Sequence, residues 1–123
     1  MYKLQVRREF IAQHYLTIPN CGPENEWHSH HFTVEVLLEG EQLTDQGYLV
    51  DIVKVEEAIE TLVDRYRDGT LNDLPEFDGL NPSIEHFSRI FCMKLGDRLP
   101  TDSLDGITVR IWEDESAWAS YSS

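Results

Sequence analysis

Hydrophobic and polar positions alternate along residues 2–16, with Leu4, Val6, Phe10 and Ala12 on one parity. A period of two marks a β-strand with one buried face. Residues 17–27 break the alternation with two prolines, a glycine and two asparagines, and read as a loop. Residues 28–39 resume as a strand, so this part of the chain predicts a β-hairpin with a long tip. From Asp51 the period changes. Ile52, Val55, Ile59, Leu62, Val63 and Tyr66 recur at three- and four-residue steps, which predicts an amphipathic helix over 51–67 with Asp51 as N-cap. Residues 68–82, with two glycines and two prolines, form an ordered loop. A second helix starts near Asn81-Pro82-Ser83, buries Ile84, Phe87, Ile90, Phe91 and Leu95, and ends by Pro100. Ile107, Val109 and Ile111 alternate in a third strand, and residues 117–122 supply a fourth. The order ββααββ predicts an α+β domain. One sheet face is covered and the edge strands lie open, and open edges seek a partner chain.

The chain has 123 residues and no internal repeat, which fits a single domain over 1–123. Lys plus Arg number 10 against 23 Asp plus Glu, giving −13. Such a surface repels nucleic acid and anionic membrane as a whole. No stretch approaches the roughly 20 apolar residues of a membrane span. The N-terminus lacks the apolar run of a secretion signal, and Cys21 and Cys92 sit in unlike contexts that do not form a disulfide framework. A cytoplasmic protein is expected.

Three of five histidines fall within four residues: His28, His30 and His31. On a strand, positions i and i+2 share a face and lie roughly 6.6 Å apart, so His28 and His30 can reach one metal while His31 points away. His14 sits on the preceding strand and can meet them across the hairpin. An H-x-H pair alone is often plain surface histidine, and His14 adds weight to the metal reading. Three imidazoles with an open position describe a catalytic zinc site better than a structural one. Cys21 lies in the loop just ahead, and a thiol near a divalent cation has a lowered pKa and can act as base or nucleophile. Glu24 and Glu26 share that loop and compete for the role. His31 and His86 read as surface or supporting groups, and Cys92 beside Phe91 as a small core residue.

These residues together resemble a known family. Phe10-x-Ala12-x-His14, then Cys21, then His28-x-His30 is similar to the zinc-binding half of the 6-pyruvoyltetrahydropterin and 6-carboxytetrahydropterin synthases. Gly47-Tyr48-Leu49-Val50-Asp51, Leu71-Asn72-Asp73, Pro82-Ser83-Ile84-Glu85 and Val109-Arg110-Ile111-Trp112-Glu113 continue the resemblance in order over essentially the whole chain. It implies the tunnelling fold, in which three four-stranded sheets join into a barrel and two trimers stack into a homo-hexamer. It implies a zinc-dependent lyase acting on 7,8-dihydroneopterin triphosphate, with His14, His28 and His30 as ligands. It further implies Glu113 as the anchor of the pterin edge. A carboxylate there can accept two parallel N–H bonds from the ring, and such charge-assisted bonds are strong. Glu85 and Ser83 are further ring contacts, although Ser83 also suits a helix cap.

The chain departs from that pattern at Ser29, where the family has Gly, at His31-Phe32, and in the six residues between Cys21 and His28. The largest departure is at Arg67-Asp68, where the family carries an Asp-His pair that delivers a proton. A histidine titrates near 6.5 and both gives and takes protons at neutral pH. An aspartate, with an ordinary pKa near 3.9, serves more readily as base than as acid. Three readings follow: a lyase with altered product or rate, a non-catalytic zinc- and pterin-binding homologue, or an unrelated β-rich binding protein.

Overall fold

The structure is a computed structural model that describes residues 1–100 and 102–123. Its elements run β1 (Tyr2–His14), β2 (His28–Gly40), α1 (Ile52–Tyr66), α2 (Ile84–Gly96), β3 (Gly106–Trp112) and β4 (Trp118–Ser122), with 3-10 turns at Gly22–Asn25, Leu71–Asp73 and Pro75–Phe77. All four strands form one antiparallel sheet in sequence order, with both helices in the connection from β2 to β3. Asp51 caps α1 by accepting from the Val53 amide, as its position before the apolar period requires.

Two features differ from the sequence pattern. β1 ends at His14 rather than at residue 16. There the chain leaves the ladder because loops satisfy its backbone: Asn72 donates to the Tyr15 carbonyl and accepts from the Tyr15 amide, both at 3.0 Å, and the Leu16 amide donates to the Glu24 carbonyl. Arg8 also breaks the apolar parity of β1. It faces the helices, and its guanidinium fork donates to Glu56 and Glu60 of α1, each at 2.7 Å.

The core lies between the sheet and the helices. β1 contributes Val6, Phe10 and Ala12, β2 Phe32, Val34, Val36 and Leu38, and β3 Ile107, Val109 and Ile111. Phe87 of α2 sits at the centre of an aromatic cluster, with ring centroids 5.0 Å from Tyr66, 5.5 Å from Phe32 and 5.7 Å from Phe77. β1 and β4 are the edge strands. The site end of β1 is partly covered by the turn after α1, where the Asp68 amide donates to the Ile11 carbonyl and the Gln13 amide to the Gly69 carbonyl. Asp68 takes a left-handed φ of 60° to make that turn. No helix is long and apolar enough to cross a membrane among the described residues.

Glu76 braces α1 against the connecting loop. It accepts from Arg65 Nε and Nη2 at 2.6 and 2.7 Å and from the Tyr66 hydroxyl at 2.9 Å. The Arg65 bonds hold its carboxyl at about 2, against burial that raises it. A depressed folded pKa contributes stability above the ordinary carboxylate range, and this is lost as pH falls through the folded value. Because Arg65 is 40% exposed, solvent screening trims the contribution to about 1–2 kcal/mol. Glu76→Gln is expected to lower stability at neutral pH by that amount and to flatten the decline between pH 4.5 and about 2, as read by urea unfolding across the pH range.

Candidate metal centre

The β1–β2 register sets His14 directly opposite His28, and His30 opposite Ala12. All three histidines share the helix-facing side of the hairpin. The small Ala12 side chain leaves the space that the His30 ring fills. The three imidazole centroids stand 4.6, 4.7 and 4.9 Å from one another. Fully buried Phe32 forms their floor, 5.7 Å from the His14 ring and 5.6 Å from the His30 ring.

Two rings are oriented by backbone. His14 Nδ1 lies 3.0 Å from the Pro82 carbonyl, and His28 Nδ1 lies 2.7 Å from the Glu26 carbonyl. A carbonyl only accepts, so each Nδ1 carries the hydrogen and each Nε2 presents a lone pair. The Nε2 atoms converge. Those of His28 and His30 are 2.9 Å apart. His14 Nε2 is buried with no hydrogen-bond partner, a costly state for a polar atom. Glu24 approaches His28 Nε2 at 3.0 Å, and Glu113 approaches His30 Nε2 at 2.9 Å. Glu113 is 3.6 Å from His14 Nε2, beyond hydrogen-bond distance. One ligand atom from each of these five residues lies within 4.8 Å of every other. Three converging imidazoles, one with an orphaned buried nitrogen, plus two carboxylates fit a borderline cation such as zinc.

The electrostatics agree with that donor set. Burial pushes the His30 imidazole down, although Glu113 pulls it up, which favours the neutral, ligating form.

The other residues singled out from sequence lie outside this group. Cys21 is a half-buried free thiol just before the Gly22–Asn25 turn, and its amide donates to Asn25 Oδ1 at 3.0 Å. Glu26 supplies its carbonyl to His28 rather than its carboxylate to the cluster. Asp68 is exposed in the turn after α1. Ser83 caps α2 by accepting from the His86 amide at 3.2 Å, and exposed Glu85 sits in the first helical turn. His86 lies 2.7 Å from the Asn81 carbonyl, and His31 is exposed, 4.0 Å from Glu9. Sequence reasoning missed the two orienting carbonyls, which no side-chain pattern reveals. It also missed the meeting of Glu24 and Glu113 with the histidines, although the four-residue step from Glu24 to His28 across a tight turn was a usable signal. A cavity of about 590 Å³ opens mainly on the opposite face of the sheet, lined by Arg7, Glu9, Ser29, His31, Thr33 and Trp112, and meets the cluster at His30 and Glu113.

A four-stranded antiparallel sheet backed by two helices, with a histidine cluster across its first hairpin, defines a tunnelling-fold protein. The sequence model of 6-pyruvoyl tetrahydropterin synthase matches residues 3–123, and the chain belongs to that family. The solved structure of the Caenorhabditis elegans 6-pyruvoyl tetrahydropterin synthase is similar with a TM-score of 0.86 at 20% identity, over 99% of this chain and 95% of that one. The Plasmodium vivax enzyme superposes with a TM-score of 0.82 at 16% identity, over 99% and 97% of the two chains. A variant of the Plasmodium vivax enzyme altered at a catalytic glutamate superposes equally well, with a TM-score of 0.82 at 16% identity over the same shares. No curated protein matches the chain by sequence.

Zinc added to the purified chain is expected to bind at about one ion per chain, the number one three-histidine centre holds. His28→Ala is expected to lose most of it. Equilibrium dialysis with elemental analysis reads both outcomes.

Proposed function

We infer that the chain is a zinc-dependent lyase acting on a reduced pterin, 7,8-dihydroneopterin triphosphate or a relative with the same hydroxylated side chain. Family membership supports the reaction class. The observation that carries the reading is the convergence of the His14, His28 and His30 Nε2 atoms with two carboxylates. Zinc held by the three histidines would supply Lewis-acid polarisation of substrate hydroxyls. Glu24 is the general base, since its carboxylate stands against His28 Nε2. The catalytic glutamate named in the Plasmodium vivax enzyme supports a carboxylate in that role. Cys21 and Glu26, in the same loop, are the alternatives. Glu113 holds the pterin edge through paired N–H bonds, with Ser83 and Glu85 as outer ring contacts. Asp68 brings no imidazole to proton delivery, so formation of a 6-pyruvoyl product is expected to be slow. Cleavage of the side chain, which leans less on that relay, is expected to survive.

One observation favours a second reading. Glu24 and Glu113 both reach the cluster, and a metal shell closed by carboxylates is the mark of a non-catalytic site. The chain would then be a zinc- and pterin-binding homologue. Incubation of the zinc-loaded protein with 7,8-dihydroneopterin triphosphate and with its unphosphorylated form, followed by mass spectrometry, separates the two. A shortened or rearranged side chain supports the lyase, binding of unchanged pterin supports the homologue, and absence of both zinc and pterin binding overturns both. Glu24→Gln is expected to keep its zinc and lose about 10²–10⁴-fold in turnover, the usual worth of a general base. Glu113→Gln is expected to weaken pterin binding by about 1–3 kcal/mol by calorimetry, the usual loss of a charged hydrogen-bond partner.

Residues 1–123 act in this reading as one cytoplasmic domain that assembles into a homo-hexamer through the open edges of β1 and β4. Light scattering at micromolar concentration is expected to give six chains per particle, and a monomer would count against the barrel.

A further inference from the structure

The loop between β1 and β2, residues 15–27, brings Glu24 to the histidines, yet none of its residues is fully buried. No apolar core fixes its path, so hydrogen bonds must. Three asparagines supply them. Asn72 bonds both backbone polar groups of Tyr15, and Asn81 Oδ1 accepts from the Thr17 amide at 2.8 Å. These ties hold the incoming limb of the loop to the connection between α1 and α2.

The even positions of that limb turn the other way, toward Asn25. Its Nδ2 donates to the Leu16 carbonyl at 3.0 Å and to the Ile18 carbonyl at 2.7 Å, and its Oδ1 accepts from the Cys21 amide at 3.0 Å. Two carbonyls can only accept and an amide N–H can only donate, so the partners fix which way this side chain points. One half-buried amide thus joins three separated points of the loop.

The residue just before it is Glu24. The Glu24 carbonyl accepts from the Leu16 amide at 2.7 Å, and its carboxylate stands 3.0 Å from His28 Nε2. Its Oε2 is buried with no hydrogen-bond partner, so its place is set by the backbone beneath it. That backbone is held at residue 24 by Leu16 and at residue 25 by the amide. The Glu26 carbonyl, which aims His28, has a separate tie, because the Glu26 amide donates to the Pro23 carbonyl at 3.0 Å. Loss of the Asn25 bonds therefore falls on Glu24 first.

We propose that Asn25 is a positioning residue: through Leu16, Ile18 and Cys21 it holds the Glu24 carboxylate at the metal cluster. The inference rests on the reading of Glu24 as the base of a metal site. It makes the reach of that base depend on a side chain outside the cluster.

Asn25→Asp keeps the shape and the acceptor for the Cys21 amide and forfeits both donations. This variant, Glu24→Gln and the double variant are loaded with cobalt(II), whose visible bands report its ligand surroundings, and are compared by absorption and by turnover of 7,8-dihydroneopterin triphosphate. Asn25→Asp is expected to lower kcat at least about tenfold, part of the roughly 10²–10⁴-fold worth of the base itself, with KM within about twofold. It is expected to shift the cobalt bands in the direction that Glu24→Gln does, and to add nothing to either effect in the Glu24→Gln background. Asn25→Ala, which removes the bonds without adding a charge, is expected to give the same pattern and serves if the aspartate variant fails to fold. A full second loss in the Glu24→Gln background overturns the proposal, since Asn25 then acts elsewhere. So do unchanged kcat and unchanged bands in both Asn25 variants. If the unaltered chain converts no pterin, the lyase reading falls and the bands decide: a shift that vanishes in the Glu24→Gln background supports the positioning role, and no shift overturns it. Failure of the unaltered chain to bind cobalt overturns the metal reading and the proposal with it.

Discussion

The register between β1 and β2 is the constraint on which the rest depends. Two thirteen-residue strands pair along their full length, from Tyr2 opposite Gly40 to His14 opposite His28. Side chains alternate faces, so a slip of one residue would turn every inward group outward. The same parity of β1 carries Val6, Phe10 and Ala12 into the core and His14 into the metal centre. A single alternation thus specifies both burial and chemistry. The cost of moving these three core side chains to water guards the position of His14.

Packing then ties the centre to the helices. Phe32 lies beneath the His14 and His30 rings and against Phe87 of α2. Pro82, just before α2, accepts from His14 across 68 positions of sequence. The buried, unpartnered His14 nitrogen opposes stability in the metal-free chain, and a bound cation would remove that penalty. The unpartnered nitrogen is a local cost, and the aromatic cluster supplies compensating burial beside it.

Much of this was legible in the chain. The period-two runs gave both hairpin strands, and the switch to three- and four-residue steps at Asp51 located α1 with its cap. The H-x-H pair with an upstream His14 on the buried parity marked three rings that the fold brings together. What escaped the sequence was non-local or made of backbone. Asn72 ends β1 two residues early, through hydrogen bonds to Tyr15 across a separation of 57 residues. Arg8 reads as an interruption of the apolar face until Glu56 and Glu60 on another element are seen to meet it. Glu113 carried a pterin-anchor reading from the resemblance, and only the fold shows its carboxylate beside His30.

The groups that aim His14 and His28 are main-chain carbonyls, of Pro82 and Glu26. Every residue type carries a carbonyl, so replacing either side chain leaves the acceptor in place. An orienting carboxylate would be erased by one codon change. A carbonyl is lost only if the backbone path shifts. The aim of the ligands is thus insulated from drift in the side chains around them, and exposed instead to insertions and deletions in two short loops. A chain that shares 20% or less of its residues with the solved synthases it resembles can, on this account, rewrite most of its sequence without disturbing how its histidines point.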